Sequence, residues 1–406
     1  MKENNNQIQL KNFNRRSVLN YIRRNVHATK AGLASVTGLT FMAIKKILEE
    51  LEELNLIREG KLETGGIGRH AVTYTVNENY GYTIGVHVNM FSTSAAVMDL
   101  HGTVLAIEHY DMRNPISTQT AFVDVVLELI HRAIKDSSVD EKKILGVGVG
   151  VPGPIDFSTG IVLTPPNLPI LWYLPLKQIL EQKLGYKVYV QKDTNALAVG
   201  EYWRGAGIGY SNVVYIDIDM GIGSGLIING EINQGANYVA GEFGHITLDI
   251  NGPICNCGNR GCLEALSSGL SILREFETQL PNEPSHPLYT KRNHLVIQDV
   301  LDTTNNNDLF AISIINKSAF YAGVAISNLI NILDPQIIIL GGILVQKCQG
   351  YFEIVRDVAY SRRMKGAKEN LIVASQLKAE VGVIGAGEIV ADSFFNEIVN
   401  EVLSKR

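Results

Sequence analysis

Cysteine is scarce in this chain, with four residues in 406. That scarcity excludes a disulfide-stapled secreted scaffold. No uncharged apolar run of about 18 residues is present, so no membrane span is expected. The N-terminus, MKENNNQIQL, lacks the apolar core of a signal peptide. A soluble, cytoplasmic chain is therefore expected. Hydrophobic residues make up 46% and charged residues 19%, which is a globular and not a disordered composition. At roughly 100–200 residues per domain, the length predicts two or three domains.

Positive charge is in deficit overall, at a net −5, but the deficit is uneven. Residues 11–76 hold eleven Lys/Arg against six Asp/Glu, whereas residues 77–406 carry −10. A small basic segment on a large acidic body points to a nucleic-acid head on a body with another task.

The pattern within the head supports this. FNRRSVLNYIRRN, 13–25, puts Phe13, Val18, Leu19 and Ile22 on one helical stripe, with Arg15, Arg16, Arg23 and Arg24 mostly outside it. Thr29 is placed to cap a short helix over 30–36. Gly38 supplies a tight turn. Thr40 then caps a third helix over 41–54, with Ala43, Ile44, Ile47, Leu48, Leu51 and Leu54 facing inward. Short helix, glycine turn and longer amphipathic helix make a helix-turn-helix, whose second helix enters the major groove N-terminus first. Thr40, Phe41, Met42, Lys45 and Lys46 are the candidate DNA readers. Segments 56–58 and 72–76 alternate like strands around a glycine-rich tip carrying Lys61 and Arg69. That is a wing, suited to phosphate or minor-groove contact. The prediction is a winged helix-turn-helix over 1–76, with 77–81 as linker.

The body reads as a repeat. Strand patterns at 82–88, 93–100 and 104–110 are matched by others at 213–218, at 225–228 and just beyond a turn at Asn229-Gly230. Buried strands come after each block, at 144–149 and 187–190, then at 336–340 and 371–374. Two βββαβα lobes with a cleft between them are predicted.

The strongest chemical signal is His245 followed by Cys255, Cys257 and Cys262. Three thiolates and an imidazole suit a tetrahedral Zn²⁺, with no position left for water, hence a structural metal. A reduced thiol cluster without metal is the plainer alternative. Glu242, Glu264 and Asp193 lie nearby or at strand ends. Carboxylates beside a cleft suit sugar hydroxyls, whose hydrogen bonds they accept. The plainer alternative for each is a surface charge or, for Asp193 above all, a helix cap.

GEFGH at 241–245, CNCGNRGCLEALSS at 255–268, PGPID at 152–156, TPPNL at 164–168 and KDTNALAVGE at 192–201 together resemble the ROK family of repressors and sugar kinases. The resemblance spans about residues 10–395. With the basic head, it is similar to the branch of xylose-operon and N-acetylglucosamine repressors. It implies an α/β fold, with the winged head joined to a two-lobed actin/hexokinase-like (ribonuclease H-like) body. Residues 77–195 with 378–406 would form one lobe. Residues 196–377 would form the other, with the zinc loop and an oligomerisation surface. A homodimer or homotetramer on inverted-repeat operator DNA is implied, with a small sugar or sugar phosphate as effector.

By that resemblance His245, Cys255, Cys257 and Cys262 match the zinc ligands. Asp193 matches the general base of family kinases. Glu242, His245 and Glu264 match sugar-contacting positions, and Asn167 lies in a segment lining the same pocket. The departures fall on the nucleotide side. His87, followed by Asn89, Met90 and Phe91, stands where kinases carry Asp-x-Gly-Gly-Thr. Asp219-Met220-Gly221 replaces Gly-Thr-Gly. Lost backbone donors and added negative charge both act against ATP. Lys192 replaces the usual Asn beside Asp193, and the wing reads Gly65-Gly66-Ile67-Gly68-Arg69. The expectation is a sugar-responsive repressor of carbohydrate uptake or catabolism genes, xylose being favoured. It has a vestigial Asp193 and no enzymatic activity. The alternative is a ROK kinase that phosphorylates a hexose with ATP, with Asp193 as base.

Overall fold

A computed structural model describes residues 2–25, 27–61, 72–114, 116–365 and 371–403. The head has three helices, Lys2–Arg24, Lys30–Thr37 and Phe41–Glu53. Their turns are set locally. Thr29 Oγ1 accepts the Gly32 N–H at 3.1 Å, and Thr40 Oγ1 accepts that of Ala43 at 3.3 Å. Gly38, at φ 67°, ends the second helix in the left-handed region. Ile44, Ile47, Leu48 and Leu51 are buried, as their spacing predicts. Strands Ile57–Lys61 and Val72–Val76 pair antiparallel. A third strand, Ala28–Thr29, joins the other edge of Val72–Val76. Two residues are too short to carry a period, so sequence alone does not reveal it. The wing tip, with Arg69, lies outside the described residues.

Two expectations for the first helix fail. It starts well before Phe13, and Phe13 is exposed. Arg15 and Arg23 are buried instead. Arg15 Nε lies 2.8 Å from Glu50 Oε2, on the helix that carries the candidate readers. Arg23 reaches Glu388 and Asp392 in the body. A charged residue counts as surface until a buried partner overrides that rule. Part of the head's positive surplus is thus neutralised inside the protein.

The body contains two five-stranded sheets of the same topology. The first runs Val188–Lys192, Ile144–Val151, Tyr82–Val88, Ser92–Asp99, Val104–Asp111. The second runs Leu371–Ala374, Ile337–Gly341, Val213–Ile218, Ile222–Ile228, Glu231–Ile232. Each is an antiparallel meander of three strands with two parallel strands added at its first member. The two-lobed repeat is therefore real. Ile84, Val147 and Phe122 lie in one lobe core, and Ile216, Ile338 and Phe276 in the other. Helix Leu309–Leu333 is long and apolar enough to cross a membrane by length and composition. Half of its most apolar window is buried in the second core.

Two crossover helices, Asp193–Arg204 and Val381–Glu397, join the lobes and pack on each other. Their backbones touch. A Cβ added at Gly385 would lie 1.7 Å from the Ala196 carbonyl oxygen, and one at Gly200 2.6 Å from that of Val381. Only glycine permits this approach. The first crossover helix runs unbroken through 195–196 and lays Leu197, Ala198 and Tyr202 against strand residues Val213, Tyr215 and Ile227. The second lies on the first sheet, over Gly85 and Gly148. This second helix and the C-terminal turn after it complete the core of the head. Val18, Leu19, Leu51 and Tyr74 cluster with Ala391, Phe395, Ile398, Val399 and Leu403.

Candidate functional site

Asn167, Asp193, Glu242, His245 and Glu264 line one interlobe cavity of about 470 Å³. The fold explains their convergence. Asp193 opens the first crossover helix directly after a parallel strand, the point where open α/β sheets gather ligand groups. Glu242 and His245 lie at either end of a one-turn helix, Phe243–His245. Glu264 is the second residue of helix Leu263–Ser267, just after Cys262.

Each side chain has defined partners. Lys192 Nζ lies 2.7 Å from Glu242 Oε1 and 3.2 Å from the Gly241 carbonyl. It thereby ties a residue of the first sheet's edge to the opposite lobe. Asn167 accepts a hydrogen bond from Asn256 Nδ2 at 3.0 Å, which also bridges the cleft. Glu264 Oε2 accepts the Ile222 N–H at 3.1 Å, so half of this carboxylate already holds backbone. Glu242 keeps a half-exposed side chain facing the cavity.

Burial pushes the Asp193 carboxyl up to about 6, against the pull of Lys192 and the Thr194 N–H. A carboxyl whose folded pKa lies above its ordinary 3.8 loses stability as pH rises between those values. The loss is complete above pH 6. Asp193→Asn should therefore be more stable than the parent at pH 7.5, by about 1–3 kcal/mol given some solvent contact at the cleft wall. The gain should vanish near pH 4. Urea midpoints at the two pH values check this, and equal midpoint shifts at both would refute it.

The other side of the cavity is lined by His87, Asp217 and Asp219. The His87 ring packs so closely on Gly382 that a Cβ there would lie 2.3 Å from it. Burial lowers its pKa to about 4, so the imidazole is neutral. Asp219 Oδ2 accepts the Ile343 N–H at 3.1 Å, at the start of the segment after Leu340–Gly342. Asp217 lies two residues earlier on the same strand face, beside Tyr215 and Asp219. Desolvation and the neighbouring carboxylates of Asp219 and Asp193 hold its carboxyl well above the usual range, against the pull of the Tyr215 hydroxyl. The sequence reading missed Asp217, although Tyr215, Asp217 and Asp219 stand at period two. Lys347, Lys378 and Asn256 were also missed, for they sit on loops and helix ends without periodic signal.

His245, Cys255, Cys257 and Cys262 come together as expected, with one ligand atom from each within 4.8 Å of the others. Cys257 and Cys262 Sγ are 3.8 Å apart, and Cys255 Sγ is 3.7 Å from His245 Nδ1. A tetrahedron with metal–sulfur bonds of about 2.3 Å has edges of roughly 3.8 Å. The donor set therefore fits a metal ion. His245 Nδ1 faces the cysteines, and its Nε2 lies 3.8 Å from Glu242 Oε2, beyond direct hydrogen-bond reach.

In the head, Phe41 and Met42 are 59% and 74% exposed, so the leading turn of the third helix presents apolar surface to solvent. Lys45 and Lys46 lie one turn on, and Lys45 Nζ is 3.6 Å from Glu49 Oε1. The Thr40 hydroxyl is used as the helix cap.

Geometry and topology together define a duplicated, sugar-kinase-like body fused to a helix-turn-helix head. The chain belongs to the ROK family, whose model matches residues 83–393. A xylose repressor of Bacillus spizizenii is 30% identical over 392 residues, covering 95% of this chain and 97% of the relative. A glucokinase of Halalkalibacterium halodurans is 34% identical over 277 residues, covering 65% of this chain and 82% of the relative. A crystal structure described as a ROK family transcriptional regulator, a homologue of the E. coli Mlc protein, superposes with a TM-score of 0.78. It is 24% identical and covers 98% of this chain and 100% of that one, which confirms the fold of head and body together.

Proposed function

We propose that this chain is a sugar-responsive transcriptional repressor of carbohydrate genes. It binds operator DNA through the head and releases it when a small sugar or sugar phosphate occupies the interlobe cleft. The observation that carries the reading is the union of an exposed reader turn at Thr40–Lys46 with a cleft lined by hydroxyl-accepting carboxylates. Asn167, Asp193, Glu242, His245 and Glu264 contact the sugar. His245, Cys255, Cys257 and Cys262 hold a structural Zn²⁺ that fixes the loop bearing Asn256 and Glu264. Phe41 and Met42 offer apolar contact, for which thymine methyls are the natural partner in the major groove. Lys45, Lys46 and Arg69 meet phosphates. A homodimer or homotetramer places two heads on an inverted repeat.

The nucleotide side supports a body without kinase turnover. Asp219 already occupies the Ile343 N–H, and its carboxylate stands where phosphate charge would gather. The glucokinase likeness and the retained Leu340–Gly342 favour the opposite reading, so turnover with ATP, Mg²⁺ and common hexoses or pentoses is the check. Activity abolished by Asp193→Asn would establish a kinase.

The repressor reading is tested by enriching a duplex from a random pool on the full chain, then measuring its affinity with a panel of sugars and sugar phosphates, D-xylose first. At least one should weaken binding tenfold or more. No enriched duplex sinks the DNA assignment, and indifference to every sugar sinks the effector. Replacing Lys45 and Lys46 together by alanine should flatten the slope of log affinity against log salt by about 2. An unchanged slope would remove both lysines from the phosphate contacts.

A further inference from the structure

The head is fixed to the body by a buried ion cluster built from three distant parts of the chain. Glu388 sits on the second crossover helix and is 3% exposed. Its Oε2 lies 3.1 Å from Arg23 Nη2, and its Oε1 2.6 Å from Arg204 Nε. Arg204 is the last residue of the first crossover helix. It also donates to the Arg23 carbonyl at 2.9 Å, closing the end of the head's first helix, and to the Leu100 carbonyl at 3.0 Å. Asp392 takes a second bond from Arg23 at 2.9 Å. The guanidinium of Arg23 stacks 3.8 Å above Trp203, and that of Arg24 3.8 Å above Tyr202.

Both helices that meet at this cluster start in the cleft. The first begins at Asp193 and reaches Arg204 roughly 17 Å further on. The second begins at Val381, which lines the cleft, and reaches Glu388 after about two turns. Glu201, on the first helix, ties it to the segment that leads into the second. It is fully buried and accepts the backbone N–H groups of Gln376 and Leu377 at 2.9 and 3.1 Å, just before the second helix. Because the helix backbones touch through Gly200 and Gly385, no soft side-chain layer lies between them to absorb a shift.

We propose that Glu388 is the positioning residue through which the state of the cleft sets the placement of the DNA-binding head, by holding Arg23 of the head and Arg204 of the first crossover helix at once. This rests on the repressor reading above. A carboxylate shared by two arginines from different elements is satisfied in only one relative placement, since the fork geometry is directional. A shift between the crossover helices must move the end of the head's first helix or break a buried pair. Linkage makes the coupling reciprocal, so bound DNA must alter the cleft as the effector alters DNA affinity.

That reciprocity gives a test that needs no knowledge of the sugar. The full chain is bound to the duplex enriched above, and amide hydrogen exchange is followed at 163–171 and 219–224, both in the cleft. In the parent protein, exchange there should change at least fivefold on DNA binding. In Glu388→Gln the change should fall below twofold, while duplex affinity stays within threefold of the parent. A cleft that ignores DNA in the parent, or that still responds in Glu388→Gln, overturns the proposal. If Glu388→Gln does not melt cooperatively, Arg204→Lys, which keeps the charge and loses the fork, is judged by the same two criteria. Failure to enrich any duplex brings down the repressor reading itself, and this inference with it.

Discussion

If the proposed zinc site is right, Cys257→Ser should take the Zn²⁺ content from one ion per chain to near zero after dialysis and should loosen the loop between His245 and Glu264. Cys257 is the exposed member of the set, so its loss leaves no cavity in the core and the effect reports on coordination. The remaining Cys255, Cys262 and His245 would hold only three corners of the tetrahedron. Structural sites of this kind contribute folding free energy outright, about 10–16 kcal/mol in isolated zinc-finger peptides. Here the ion would stabilise one loop inside a larger lobe, so the change in global stability should be smaller. Locally the loss should still be large. Asn256 would leave Asn167, and Glu264 would lose the rigid turn that aims it at Ile222. Elemental analysis gives the stoichiometry, and hydrogen exchange over 246–264 gives the loosening. Zinc retained at one per chain would show that the ligand assignment is wrong.

Gly385→Ala should cost about 3 kcal/mol or more, the upper end for overpacking. The added methyl would sit 1.7 Å from the Ala196 oxygen and 2.9 Å from the Gly200 nitrogen. Both neighbours are helix backbone, which cannot swing aside as a flexible side chain would. The crossover helices must part, and with them the two lobes. Gly153→Ala is the control, because its nearest neighbours lie at 3.6 and 3.7 Å, ordinary contact. A denaturant midpoint for Gly385→Ala equal to that of the control would mean that the helices are free to slide, against the tight contact described.

Much of the site was legible in the sequence alone. The spacing of one histidine and three cysteines, with the carboxylates around them, stood out because this chemistry is carried by residue type and short-range order. The repeated hairpin blocks were readable from alternation, and the matched order of the two sheets bears this out. The head's turn was readable because Thr29, Gly38 and Thr40 act within four residues of themselves. What stayed hidden depends on pairing across the chain. Nothing local distinguishes Arg23, which ends inside the protein, from an arginine on the surface. Its partner Glu388 lies 365 positions away. Ala28–Thr29 is a strand only because Val72–Val76 offers an edge. Asp217 was passed over because its strand, 213–218, reads as a plain buried run and a single carboxylate within it carries no short-range chemical pattern.

The apolar side chains shared between Val18–Tyr74 and Ala391–Leu403 have a practical consequence for anyone dissecting the molecule. A fragment cut after residue 76 would be left with a greasy, water-facing flank where Phe395 and Val399 belong, and should clump instead of engaging an operator. Removing residues from 395 onward should injure promoter recognition by uncovering the head's core, where Phe395, Ile398, Val399 and Leu403 pack. Calorimetry on the intact chain should accordingly register the head melting together with the tail, and not as an early separate peak.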